Sequence, residues 1–156
     1  MTESPREVDQ NLSMNIRIRK LDPEVRLPAY ESAGAAGFDL AAAASVTIEP
    51  GTVRLVPTGL VIEVPQGFFL GIFARSSTPL KRGLMVANGV GVVDSDYCGP
   101  EDEVKIAVVN FTAETVQIKS GDRIAQGIIL AAPHVVWEEA SELGAQSRGG
   151  FGGTGE

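Results

Sequence analysis

The chain has 156 residues, is 44% hydrophobic and carries a formal net charge of −7. That length fits one domain with a sizeable core and leaves no room for a second catalytic domain. The acidic balance works against tight binding to a nucleic-acid backbone, whose affinity comes from clustered Lys and Arg, so a bound anion would need a local knot of Arg, backbone N–H groups and a divalent cation.

Residues 1–13 are polar and aperiodic and read as a disordered tail, ahead of an apolar alternation that begins at Met14. From Ile16 onward short apolar stretches recur with Gly, Pro, Asp or Asn between them: Ser45–Ile48, Thr52–Val56, Leu60–Val64, Phe68–Phe73, Glu103–Phe111, Thr115–Ile118 and Ile124–Leu130. That spacing predicts an all-β sandwich or barrel. Val104, Ile106 and Val108 alternate with Lys105 and Ala107, and Val116 and Ile118 flank Gln117, so one face of each strand is expected to be buried. Glu49-Pro50-Gly51, Pro65-Gln66-Gly67 and Ser120-Gly121-Asp122 supply turn chemistry at the junctions. Brief helices are expected only at Pro79–Leu84 and Glu138–Leu143. No repeat of 20 to 50 residues is visible, which removes solenoids and propellers.

The final segment, Ser147–Glu156, holds five glycines in ten residues around one Arg, one Phe and one Thr. Such a segment is costly to order and is expected to stay mobile until a ligand holds it. The predicted organisation is therefore a tail over 1–13, a catalytic domain over 14–137 and a flexible arm over 138–156. No apolar run approaches the roughly 20 residues of a membrane span, and no basic-then-apolar start resembles a signal peptide. A soluble, cytoplasmic protein with no membrane partner is expected. The one cysteine, Cys98, has no internal disulfide partner, and neither it nor the one histidine, His134, builds a cluster at zinc-type spacing. His134 reads as structural.

Three clusters are candidates for chemistry. Asn88 to Gly99 puts glycines, two carboxylates and an aromatic ring together; it reads either as a tight hairpin or as a site that holds a water, a proton and a ring face. Ala74-Arg75-Ser76-Ser77 follows an apolar strand and reads either as a solvated strand end or as a phosphate fork with adjacent hydroxyls. Gly150-Phe151-Gly152-Gly153-Thr154-Gly155 matches the dinucleotide pattern G-x-G-x-x-G in form only, because no helix can follow it with Glu156 alone remaining. Arg148 and Phe151 fit better as one cation for a phosphate and one ring for a base. No phosphate-binding P-loop and no nucleophile elbow are present.

In order, five segments resemble the five motifs of the trimeric deoxyuridine triphosphatases: Ala36–Leu40, Ala74–Ser77, Asn88–Gly99 with its Asp94-Ser95-Asp96-Tyr97 core, Gly121–Gln126 and Arg148–Gly155. The resemblance implies a jelly-roll subunit in a homotrimer, with active sites between subunits and each arm closing over a site on another chain. It implies a hydrolase that cuts dUTP to dUMP and pyrophosphate with Mg²⁺, limiting uracil in DNA and supplying dUMP for thymidylate synthesis. Asp94 would activate the water that attacks the α-phosphorus, and Tyr97 would sit under the deoxyribose. Asn88 and the backbone around Val92 and Val93 would read uracil, with Phe151 stacked on it. Arg75, Ser76, Ser77, Lys105, Gln126, Arg148 and Thr154 would hold phosphates, and Asp39 would meet Mg²⁺ through water.

The chain departs from the usual pattern in three places. The second motif reads Ala-Arg-Ser-Ser where Pro-Arg-Ser-Gly is commoner, the loop Pro100–Asp102 is longer than usual, and Arg148 stands three residues before Phe151 instead of five. The rival readings are a deoxycytidine triphosphate deaminase of the same fold, which lacks the Asp94–Tyr97 core and the Phe-containing arm, and a non-catalytic binder, which needs no water-activating carboxylate.

Overall fold

The computed structural model describes residues 13–144. Among them, eleven strands and one helix follow in the order β1 (Arg17–Lys20), β2 (Phe38–Ala41), β3 (Val46–Ile48), β4 (Val53–Pro57), β5 (Leu60–Glu63), β6 (Phe68–Ala74), α1 (Ser77–Arg82), β7 (Leu84–Val86), β8 (Gly91–Val93), β9 (Lys105–Asn110), β10 (Val116–Ile118) and β11 (Arg123–Ala131). Every pairing is antiparallel. The strands form a four-stranded sheet, β2-β11-β6-β8, a three-stranded sheet, β4-β9-β7, and two ribbons, β1-β5 and β3-β10. The architecture is the all-β fold expected from the spacing of the apolar stretches and the jelly roll implied by the resemblance, and no helix among the described residues is long and apolar enough to cross a membrane.

The period-two alternation decides which side chains meet. On β9, Ile106 and Val108 are fully buried while Lys105 is exposed, and they pack with Val56, Leu84, Leu40, Leu70, Ile118 and Ile124 in one core. Each such aliphatic side chain contributes about 1.5–3 kcal/mol by leaving water. Asn110, wholly buried at the end of β9, breaks the apolar pattern without penalty. Its Nδ2 donates to the carbonyls of Ile48 at 2.9 Å and Glu114 at 2.7 Å, and its Oδ1 accepts from the Thr112 amide and hydroxyl, so every polar atom is satisfied.

Two expectations need correction. Glu138–Leu143 holds no helix: its Leu143 is 84% exposed, and a helix this short does not persist in water without an apolar face to bury. The other helix begins at Ser77, two residues before the expected start, and ends at Arg82 because Gly83 takes the left-handed conformation at φ 62° and returns its N–H to the Pro79 carbonyl. Leu84 consequently enters β7 rather than the helix. Three strands, β2, β7 and β8, lie in stretches too short or too glycine-rich to show alternation.

Candidate active site

The four-stranded sheet gathers three of the five motif segments at one end. Gln126 on β11 lies opposite Asp39 of β2 on one side and Phe73 of β6 on the other. Its Nε2 donates to the Ala74 carbonyl at 3.1 Å, and a side chain at Gly37 would collide with its Oε1 at 2.9 Å, so the glycine lets β2 approach. Arg75 leaves the end of β6 and pairs through Nε with Asp39 Oδ1 at 2.8 Å. Arg123 holds the other carboxylate oxygen at 3.0 Å and bonds Glu31 at 2.6 Å, which keeps Glu31 below the usual carboxylate range. With Nε committed to Asp39, the terminal nitrogens of Arg75 remain for a planar anion, and half-buried Ser77 and exposed Ser76 follow directly.

This end of the sheet is buckled to α1 by residues to which the sequence reading gave no role. Buried Thr78 donates its hydroxyl to the Ile124 carbonyl at 2.8 Å. Arg82 Nη1 donates to Asp122 Oδ2 at 2.9 Å, and the same oxygen accepts from the Lys119 amide at 2.9 Å. The Arg82 bond, reinforced by the Lys119 amide, holds the Asp122 carboxyl below its ordinary value despite partial burial. A carboxylate whose value drops on folding adds stability above its unfolded titration, and loses that contribution as pH falls through the lower folded value. Asp122→Ala is accordingly expected to cost about 1–2 kcal/mol in urea unfolding at neutral pH, with the difference from the parent shrinking below the ordinary carboxylate range. A cost that does not change with acidification would contradict this assignment.

The third motif sits elsewhere. The chain leaves β7, which pairs with β9, turns through Asn88–Val90 and enters β8, which pairs with β6. It therefore crosses from one sheet to the other, and the tight-hairpin reading of this segment is replaced by a crossover. Gly91, Val92 and Val93 pair with Ile72, Gly71 and Leu70, and β8 is the edge of its sheet. Its outer amide and carbonyl edge is thus unpaired within this chain's sheets. Val93 is in the core, whereas Val92 is 60% exposed and Asn88 is exposed. Asp94 follows at once, exposed, and among the described residues no hydrogen bond or ion pair occupies its carboxylate. Tyr97 turns back so that its N–H donates to the Asp94 carbonyl at 3.2 Å and its hydroxyl to the Glu103 carbonyl at 3.2 Å.

One candidate site residue stands apart from that group within this chain. Lys105 does not join Arg75 and Gln126; its Nζ is 3.8 Å from the Glu103 carboxylate, in the Tyr97 half. The cause is register, since Lys105 pairs with Pro57 at the start of β9, in the other sheet. His134 is exposed beyond the end of β11 and fills no core position. Cys98 is a free thiol. Arg148, Phe151 and Thr154, like the tail over residues 1–12, lie outside the described residues. Asp122 and Arg123 were read as part of the fourth motif without a role of their own, and Glu103 was not singled out, because their partners stand 40, 84 and 44 residues away in sequence, where no spacing rule reaches.

The family model described as dUTPase matches residues 23–155. The chain belongs to the dUTPase family. The deoxyuridine 5'-triphosphate nucleotidohydrolase of Wolinella succinogenes is 45% identical over 145 residues, covering 92% of this chain and 95% of that one. Among solved structures, the dUTPase of Streptococcus mutans superposes with a TM-score of 0.72 at 34% identity, over 80% of this chain and 100% of that one. A variant dUTPase of Staphylococcus aureus phage phi11, described with a coordinated structural Mg(II) ion, gives 0.74 at 22% identity, over 83% of this chain and 98% of that one. Among the described residues, the first, second and fourth motif segments meet at the Ala74 end of β6, whereas the third runs along β6 so that Asp94 follows Val93, the partner of Leu70.

Proposed function

We propose that this dUTP diphosphatase works as a homotrimer in which Asp94 of one subunit and Arg75, Ser76, Ser77 and Gln126 of another meet on a single nucleotide. The observation that carries the reading is a register. Val93 pairs with Leu70, so Asp94, the next residue, follows about six residues from Arg75 along β6, or roughly 20 Å at the rise of a strand. An Arg75 pinned to Asp39 cannot cover that gap to grip phosphates whose α-phosphorus lies beside Asp94 of the same chain. A second copy removes the difficulty. Apolar surface for such contacts is at hand in Val53, Leu55 and Met85 on the outer faces of β4 and β7, and in Val136 and Trp137, 98% and 91% exposed.

The chemistry follows from the two groups. Asp94, a carboxylate with no competing partner among the described residues, accepts a proton from water as its oxygen bonds to the α-phosphorus. The bond from that phosphorus to the α–β bridging oxygen breaks, and pyrophosphate leaves with dUMP. Uracil would pair along the open edge of β8, with Asn88 at its end and Phe151 from an arm covering its face, while Tyr97 lies under the sugar. Arg148 and Thr154 would close over the γ-phosphate, with Lys105 reaching from the Tyr97 half.

Among the described residues no group of three or more His, Cys, Asp or Glu forms a metal cage. That suits Mg²⁺, which keeps several waters and rides on substrate phosphates. Both Asp39 oxygens are held by guanidinium groups, so a contact from Asp39 would pass through water. When bound, the ion would neutralise phosphate charge as the bond breaks. In a cytoplasmic setting the reaction would keep uracil out of DNA and feed thymidylate synthesis. A panel of dUTP, dCTP, dTTP and UTP, with Mg²⁺ present or chelated, tests the reading. Pyrophosphate is expected from dUTP alone and only with the ion, and ammonia from dCTP would instead establish the deaminase.

A further inference from the structure

The Tyr97 ring is 42% exposed, and among the described residues the hydrogen bond that its side chain makes is the hydroxyl bond to the main-chain carbonyl of Glu103. That carbonyl is itself held. The Glu103 carboxylate, on a side chain only 16% exposed, accepts the Gly59 N–H at 2.7 Å through Oε1. The next residue, Val104, donates its N–H to the Leu60 carbonyl at 2.8 Å and accepts the buried Thr58 hydroxyl at 2.6 Å. On the preceding side, Asp102 takes the Gly99 N–H at 2.7 Å and Arg19 bonds the Pro100 carbonyl. The long loop after Gly99 is thus clamped to the β4–β5 turn, and what it presents to Tyr97 is one rigid acceptor.

We propose that Glu103 is a positioning residue for sugar selection: its carboxylate, bonded to Gly59, fixes the carbonyl that holds Tyr97 in place. The inference rests on the reading of Tyr97 as the surface under the deoxyribose. A hydroxyl added at the 2′ position is rejected only by a ring that cannot yield, so loosening the brace admits UTP without touching the groups that activate water. Glu103→Gln keeps an acceptor for Gly59 and Glu103→Ala removes it, which separates the hydrogen bond from the weak charge contact with Lys105 at 3.8 Å.

The chain has two tyrosines, so uniform 3-fluorotyrosine labelling gives two ¹⁹F resonances. Tyr30, packed edge-on against Phe38 at 5.8 Å, is the internal control. Glu103→Ala is expected to shift or broaden the Tyr97 resonance and leave that of Tyr30. It should lower the ratio of kcat/KM for dUTP over UTP about three- to tenfold, mainly through KM, with Glu103→Gln close to the parent. Should the Ala variant fail to fold, Glu103→Asp, too short to reach Gly59, gives the same readout. An unmoved Tyr97 resonance together with an unchanged ratio overturns the proposal. Tyr97→Ala tests the underlying reading separately: if it leaves the dUTP-to-UTP ratio unchanged, the sugar role fails, and the fluorine signal alone then decides whether Glu103 fixes the ring.

Discussion

Asp94→Asn is expected to bind a non-hydrolysable dUTP analogue as the parent does while kcat falls by about 10²- to 10⁴-fold, the range that a positioned general base supplies. The substitution is nearly isosteric, and the position is exposed with no side-chain partner among the described residues, so the fold has little to lose. Calorimetry with the analogue and pyrophosphate release with dUTP separate the two effects. Turnover near that of the parent would remove Asp94 from the reaction. A matched loss of affinity and turnover would make it a binding group instead.

The second large effect concerns partnership. Arg75→Ala should be nearly inactive by itself, since Arg75 is the cation in the Asp39–Gln126 group with free terminal nitrogens for phosphate. Unfolding it together with Asp94→Asn and refolding an equal mixture is expected to restore about a quarter of parental activity, the share of subunit interfaces at which both intact residues face each other in a cyclic assembly. Mixing the folded variants without unfolding is the control. No recovery after co-refolding would mean that each chain completes its own site, contrary to the separation of roughly 20 Å along β6.

Much of this arrangement was legible in the sequence. Seven apolar stretches became β3, β4, β5, β6, β9, β10 and β11, because period-two burial and Gly or Pro turns are local properties. β8 was not legible as a strand: Gly91-Val92-Val93 is too short to alternate and holds its place only by pairing with β6. Nor was the Glu138–Leu143 segment legible, since helical composition says nothing about whether an apolar surface waits to receive it. Within the site, Asp39, Arg75 and Gln126 were found as motif members and the sheet joins them. Lys105 was grouped with them by the family resemblance, whereas register places it within this chain on the other sheet, near Glu103. The residues that hold the site in shape act through contacts between segments far apart in sequence, Asp122 with Arg82 of α1, Arg123 with Asp39 of β2 and Glu103 with Gly59 of the β4–β5 turn, and single-sequence spacing carries no trace of those.

The open margin of β8 has a cost as well as a use. Unpaired peptide groups of the kind proposed to engage a base are equally inviting to a foreign strand, and an exposed ribbon of this kind is where insoluble polymer begins. Here the invitation is narrow. Only three residues are extended, and two negatively charged side chains, Asp94 and Asp96, stand immediately beyond them on a chain already carrying net −7. Carboxylates in that position act as gatekeepers against stacking, so Asp94, besides its proposed chemistry, would help keep the empty protein in solution.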